Sequence, residues 1–569
     1  MRRLSSRDLA VAFTATAGLL IAACGSDSST APTTTAAPAS SAAAATDPPA
    51  TDTAAASTAA VTTVETTPDT EPETTDSAPD TAPDTTDSTP DTEPDTTDSA
   101  PPTTEDPTAE AFQWDRVGVG PIEEGFLDVP LDYDDPDGEQ ISLYVVRHRA
   151  LDPENRIGAL LVNPGGPGYG GSFLASAAAD IYGQALLDNF DIIGWDPRGT
   201  GESEPAIDCV DDYDAVLGVE TGPDDPAGET ALREAAATFA AGCEERSGEI
   251  LDHMETANAA RDMDAIREAL QEEQISYFGW SYGTALGSTW VTMFPETVRA
   301  AVLDGAVNPI TGRVKGLVDQ TAGFDSTLST FLADCSAKAE CPFNNGGDAE
   351  GAFDALIASL ETNPIPTAEG RPPLVDGVFE LGVAQALYAE SLWPQLAEAL
   401  AAAQNGDGTG ILALYDQYYG RGPDGTYGNE LEAYFVITCA DDPPVTGPDG
   451  GVDGAVAARA EFDAVSRIPY TQAYELVICA SMPEFETEQV EITGAGAGPV
   501  MVVGNTGDPA TPYEGSKVMA ETLEEGFFVS VEANTHTAYG ISACADQAIE
   551  AYLLEPAAPD EDIVCTDVG

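Results

Sequence analysis

From about residue 112 onward, short runs of β-branched and aromatic residues alternate with longer stretches whose apolar positions recur at helical spacing. Residues 141–146 alternate apolar with polar positions and read as a strand with one exposed face. The uniformly apolar run 159–162 reads as a buried strand leading into Asn163-Pro-Gly-Gly-Pro-Gly168. Residues 190–193 form another, before Gly194-Trp-Asp-Pro-Arg-Gly-Thr-Gly201. Helical spacing spans 258–270, then strand 275–278 meets Gly279-Trp-Ser-Tyr-Gly283 and a helix to about Phe294. A strand at 300–303 is followed by nearly two hundred residues of Ala- and Glu-rich helical pattern, and strand character returns at 500–503 and 527–531. Buried strands alternating with helices predict an α/β domain: a mostly parallel sheet covered on both faces, with a helical domain inserted between two strands.

The first 111 residues follow another pattern. Arg2, Arg3 and Arg7 precede a short apolar stretch from Leu9 to Ala23, a secretory signal too short to span a bilayer. It ends Leu20-Ile-Ala-Ala-Cys24-Gly25, which resembles a bacterial lipobox and makes Cys24 the lipidation site. Residues 25–111 are Thr, Asp, Ala, Pro and Ser without Lys or Arg, and a 22-residue spacing relates the segments that begin at Pro68 and Pro90. Such a segment buries too little apolar surface to offset chain entropy, and Pro and like charges extend it. The expected organisation is a lipoprotein signal (1–24), a disordered stalk (25–111), a first part of the core (112–310), a helical cap (311–485) and the rest of the core (486–569). The expected location is the outer side of a bacterial cell membrane, with a lipid anchor.

Charge narrows the partners. The 569 residues hold 21 Lys and Arg against 99 Asp and Glu, a net charge of −78, of which −62 falls on residues 112–569. So acidic a surface repels phosphate and excludes nucleic acid as a partner, while favouring solubility at high ionic strength. Cysteine parity agrees with export. With Cys24 assigned to lipid, Cys209, Cys243, Cys335, Cys341, Cys439, Cys479, Cys544 and Cys565 remain, an even number. Eight cysteines allow about 105 pairings, and nearness along the chain favours 209–243, 335–341, 439–479 and 544–565. No Cys/His cluster has ligand spacing, so neither metal nor cofactor is expected.

Candidate chemistry centres on Ser281. A strand before Gly279-Trp-Ser-Tyr-Gly283 and a helix after it are what a nucleophile elbow requires, the glycines relieving a sharp turn. A serine nucleophile needs a base, and the chain offers His148, His253 and His536. His148 reads as a surface strand residue and His253 as a surface or packing residue. His536 falls in a loop just after the last strand, and Asp508 ends the strand before it. The order Ser281, Asp508, His536 gives nucleophile, acid and base. The glycines after Asn163 can present backbone N–H groups to a developing oxyanion, Gly166 together with Tyr282, the residue after the nucleophile.

The motifs PGGPG, GWDPRGTGES, TANAARDMDAIREAL, YFGWSYGT, VLDGAVNP and GNTGDPATP, followed by the final His, resemble the α/β-hydrolases of the tripeptidyl-aminopeptidase-like branch, secreted relatives of proline iminopeptidase. The resemblance spans residues 112–569. It implies the α/β-hydrolase fold with a helical cap, and a serine hydrolase releasing short N-terminal pieces from peptides. A carboxylesterase or lipase-like enzyme of the same fold is the alternative, and a non-catalytic binding lipoprotein a third reading. Proline iminopeptidases begin the glycine motif with His, where this chain has Pro164. The branch uses cap carboxylates to hold the substrate's amino group, and Asp441 and Asp442 are the candidates here.

Overall fold

The computed structural model describes residues 112–568 except 224, 361, 442–450 and 486. Cys24, the stalk and Asp442 lie outside the described residues. Ten strands form one sheet: β1 Asp115–Arg116, β2 Ile122–Pro130, β3 Gln140–His148, β4 Gly158–Asn163, β5 Phe190–Trp195, β6 Ile275–Trp280, β7 Val298–Asp304, β8 Val500–Asn505, β9 Gly526–Val531 and β10 Ile563–Cys565. Their order is β1-β2-β3-β5-β4-β6-β7-β8-β9-β10. The first three strands pair antiparallel and β3 meets β5 antiparallel, while β5 through β10 run parallel. Strands β4, β5, β6 and β8 are buried at every position, as parallel strands covered on both faces must be. Period-2 geometry splits their side chains between two cores. Tyr277, Ala301 and Leu303 join one, and Phe278, Trp280 and Val302 the other.

The strand order places the site. After β4 the chain crosses to β5 on one side, then returns to β6 on the other. This is the switch point at which open α/β sheets leave a crevice beyond the carboxyl ends of their strands. Register pairs Asn163 at the end of β4 with Gly279 near the end of β6, so the glycine loop and the Ser281 turn face each other.

Among the described residues, thirteen helices of ten residues or more are numbered in chain order. The core contributes α1 Pro226–Ser247, α2 Thr256–Ala269, α3 Tyr282–Met293, α12 Tyr513–Thr522 and α13 Ala543–Leu554. Between β7 and β8 run α4 Arg313–Ala337, α5 Ala349–Leu360, α6 Asp376–Leu387, α7 Trp393–Gln404, α8 Thr409–Tyr418, α9 Glu430–Asp441, α10 Val452–Asp463 and α11 Tyr470–Ser481. Every residue from Gly377 to Leu387 is buried, so α6 is the centre around which these helices pack. None of the helices among the described residues is long and apolar enough to cross a membrane. Disulfides join Cys209 to Cys243, Cys335 to Cys341, Cys439 to Cys479 and Cys544 to Cys565.

The loop Gly194–Gly201 is explained by one buried ion pair. Arg198 meets Asp262 of α2 with Nη2 to Oδ1 at 2.7 Å and Nε to Oδ2 at 2.8 Å. Its remaining donors reach the carbonyls of Leu131, His253 and Pro130, and the Tyr133 hydroxyl donates to Asp262 at 2.8 Å. The pair anchors the β5 loop to the helix that leads into β6. Because both partners are buried, losing one strands the other at a cost of about 3–5 kcal/mol.

His148 departs from the expectation of a surface position. It ends β3 and is buried, because β3 is interior to the sheet, flanked by β2 and β5. Strand β2 escaped the sequence reading since Glu123 and Gly125 interrupt its apolar pattern. Yet Glu123 is buried by an ion pair with Arg147 at 2.6 Å.

Candidate active site

Ser281 stands between β6 and α3 with φ 55° and ψ −125°, a left-handed conformation that side-chain-bearing residues rarely adopt. The turn needs its glycines. A β-carbon at Gly279 would strike the Gly283 carbonyl and lie 2.6 Å from the Tyr277 ring, and one at Gly283 would lie 2.8 Å from the Asn163 carbonyl. The Tyr277 hydroxyl donates to the Gly283 carbonyl at 2.7 Å, and the Ser281 N–H donates to the Asp304 carbonyl at 3.0 Å. The serine is therefore fixed from below, with its side chain at the N-terminal end of α3.

Asp508 and His536 meet as expected of their order in the chain. Nδ1 of His536 lies 2.9 Å and 3.0 Å from the two Asp508 oxygens. The carboxylate also accepts the Ala510 and Thr511 N–H groups at 2.9 Å and the Thr511 hydroxyl at 3.0 Å. Nε2 of His536 is buried and has no protein partner. Burial works to lower the imidazole's pKa, but the charge and hydrogen bond of Asp508, with Asp304 behind, outweigh it and leave the pKa raised. The His536 N–H donates at 2.8 Å to the carbonyl of Tyr388, just past α6, and the two rings stand edge to face at 5.5 Å.

The glycine loop closes on the same point. A β-carbon at Gly165 would lie 3.0 Å from Cβ of Ser281 and 3.0 Å from the Tyr282 nitrogen, so Gly165 makes the contact with the elbow. Gly166 follows it with φ 109°, its vacant β-position turned toward Tyr169. At Gly168 a β-carbon would collide with the Glu430 carbonyl and the Tyr434 nitrogen, so the start of α9 rests directly on this loop.

The model of the alpha/beta hydrolase fold matches residues 158–344, and that of TAP-like protein matches residues 467–565. Serine protease Hip1 of Mycobacterium tuberculosis is 34% identical over 453 residues, covering 78% of this chain and 86% of that protein. Carboxylesterase B of the same species is 34% identical over 447 residues, covering 77% and 85%. Tripeptidyl aminopeptidase of Streptomyces coelicolor is 31% identical over 462 residues, covering 78% and 83%. This chain is an α/β-hydrolase of the TAP-like family. It is a serine hydrolase.

The hydrolase carries a cavity of about 40 Å³ among the helices between β7 and β8, lined by Phe324, Tyr388, Tyr418, Tyr434, Gln472 and Glu475 among others, and of these Tyr388 also meets the His536 ring. Glu475 is the carboxylate in this wall. It accepts Nη2 of Arg313 at 3.0 Å and the Tyr434 hydroxyl. One turn earlier on α11, the side-chain oxygen of Gln472 is buried without a donor. Asp441 sits elsewhere. It accepts both the N–H and the hydroxyl of Thr256 at 2.6 Å, at the N-terminus of α2, where a carboxylate satisfies free donors and the helix dipole. Glu475 was hidden in the sequence because a single acid in an otherwise uncharged helix reads as an ordinary solvated side chain.

Proposed function

We propose that the protein is an exported peptidase that releases short N-terminal pieces from peptides with free amino ends. In this reading Ser281 attacks the scissile carbonyl. His536 takes the Ser281 proton at Nε2 and returns it to the leaving amine, and Asp508 holds the imidazole with its proton on Nδ1. Backbone N–H groups of the 165–166 segment and of Tyr282 receive the oxyanion. The acyl-enzyme is then hydrolysed by water through the same base.

The observation that carries the peptide reading is the wall of the cavity behind Tyr388, the residue whose ring meets His536. An acceptor without a donor, at Gln472, stands one turn from the buried carboxylate of Glu475. A substrate ammonium supplies N–H donors and a charge to both, and a desolvated charge needs such a partner. In this reading Glu475 is the amino-group anchor, while Asp441 is engaged by Thr256 and Asp442 lies outside the described residues. The names of two relatives, a serine protease and a tripeptidyl aminopeptidase, support peptides as substrates. The Carboxylesterase B relative favours the ester alternative.

Peptide amides with free and acetylated amino ends, assayed beside short-chain esters, test this. Acetylation is expected to lower kcat/KM by tenfold or more, about 1.4 kcal/mol, and Glu475→Gln to abolish most of that discrimination. Equal turnover of blocked peptides, or better turnover of plain esters, would transfer the assignment to a carboxylesterase.

The four disulfides support an oxidising compartment. With the lipobox-like start and the stalk-like segment, they support a cell-surface lipoprotein anchored through Cys24. Cell fractionation checks this: the wild type should partition with membranes and Cys24→Ala should not. Equal membrane association of both would remove the anchor from the reading.

A further inference from the structure

The end of β7 carries a buried carboxylate that the triad does not use. Asp304 is fully buried, and its side chain accepts the Ala538 N–H at 2.9 Å and 3.0 Å and the Tyr539 N–H at 2.9 Å. Both donors belong to the loop that carries His536. Its own carbonyl accepts the Ser281 N–H at 3.0 Å. The next residue, Gly305, has φ 68°, and a β-carbon there would lie 3.3 Å from Cε1 of His536 and 3.1 Å from Oγ1 of Thr511. Two consecutive residues thus touch the nucleophile's backbone, the base's ring and the base's loop.

We infer that the Asp304–Gly305 segment is a positioning element of the reaction, aligning Ser281 with His536 by holding the elbow through the Asp304 carbonyl and the His536 loop through the Asp304 carboxylate. The physical need for such an element is plain. Ser281 and His536 lie 255 positions apart in the chain, on separate elements, and proton transfer between them demands a geometry set to a fraction of an ångström. Asp508 controls the tautomer and orientation of the imidazole but makes no contact with the Ser281 turn. Asp304 contacts both sides. A neutral hydrogen-bonding residue could hold the loop more weakly. The two carboxyl oxygens together accept the N–H groups of two successive residues, which a single amide oxygen cannot reproduce.

The same placement puts a second acidic group behind the base. Burial pushes the Asp304 carboxyl up to about 7, while the Tyr539 and Ala538 N–H groups and the charge of His536 pull it down and Asp508 pushes it up. The groups facing His536 are Asp508 from the β8 side, Asp304 from β7, Thr511 beyond β8, and Tyr388 from the cap. Removing the Asp304 charge lowers the imidazole's pKa while Asp508 remains in place.

The inference rests on the triad reading, and the experiment separates the two. Full-length wild type, Asp304→Asn, Gly305→Ala and Ser281→Ala are compared with a chromogenic ester or peptide amide, with active sites counted by a fluorophosphonate. Per active site, Asp304→Asn is expected to acylate roughly 10²-fold more slowly, the cost of an ångström-scale misplacement. KM should stay within about twofold, since the element makes no contact with substrate. The acid limb of its kcat/KM profile should move to lower pH. Gly305→Ala, whose new methyl group presses on His536 while the carboxylate stays, should slow acylation with the acid limb unmoved. It also carries the test if the Asn variant does not fold. If Asp304→Asn lowers only the number of active sites or the melting temperature, with wild-type rate and acid limb per site, Asp304 is structural and the inference fails. It fails equally if Gly305→Ala acylates at the wild-type rate per site. Activity retained by Ser281→Ala would instead overturn the triad reading itself.

Discussion

Ser281→Ala is expected to lower turnover of every substrate by about 10⁶-fold, the scale on which triad nucleophiles act, while leaving the fold intact. The contacts that shape the turn are made by the backbone: the N–H on the Asp304 carbonyl, and the carbonyl accepting from Thr284 at 2.8 Å. An alanine keeps these and loses only the hydroxyl. The effect should be this large because the site has no substitute. Thr284, the first aliphatic hydroxyl along α3, spends its Oγ1 as a donor to the Ser281 carbonyl at 2.6 Å and accepts the Val307 N–H at 3.0 Å. Residual activity then comes from the oxyanion donors and from binding alone. Steady-state rates with the best substrate, a melting curve and labelling by a fluorophosphonate check the expectation together. A folded Ala variant retaining more than about 1% of wild-type kcat would remove Ser281 from the nucleophile's role.

The reason Ser281 stands out as the candidate nucleophile is local. A buried strand, two glycines and a helix are all within a dozen residues, and sterics force the glycines wherever a residue is held at φ 55°. Asp508 and His536 were found by their order along the chain and by the strands that precede them, again short-range signals. What the sequence concealed depends on contacts between distant residues. Asp441 and Glu475 are both acids in cap helices, and nothing near either distinguishes them. The structure alone shows one bonded to Thr256, 185 positions away, and the other lining a cavity together with Tyr388. With a net charge of −78, an individual carboxylate carries almost no information until its neighbours are known. Asp304 illustrates the same limit. Read along the chain it is a polar residue ending a strand, and its meaning lies in the backbone of Ala538 and Tyr539, more than 230 positions on.

Asp508→Asn should cost about 10⁴-fold in kcat with little loss of structure, the magnitude seen when a triad acid loses its charge but not its shape. The carboxylate here is surrounded by donors: Ala510, Thr511 and Thr537 N–H groups, the Thr511 hydroxyl and Nδ1 of His536. An asparagine has one acceptor oxygen and one donor nitrogen. The backbone N–H groups of Ala510 and Thr511 both bond Oδ1, so they claim the amide oxygen. The amide nitrogen then faces Thr511, the imidazole and the more distant Thr537 N–H at 3.3 Å. His536 must answer by accepting at Nδ1, which moves its proton to Nε2, the nitrogen that has to receive the Ser281 proton. The base is disabled by its tautomer rather than by its absence. The pH dependence follows in sign. In the wild type the Asp508 charge outweighs burial and holds the imidazole pKa above its ordinary value, so the acid limb of kcat/KM lies on the high side. Without that charge burial prevails and the limb moves to lower pH, although Asp304 still opposes the shift. A profile of the Asn variant measured from acid to alkaline pH checks both effects. A rate within about tenfold of wild type, with the acid limb unmoved, would mean that another group orients His536 and that Asp508 serves only to fold its loop.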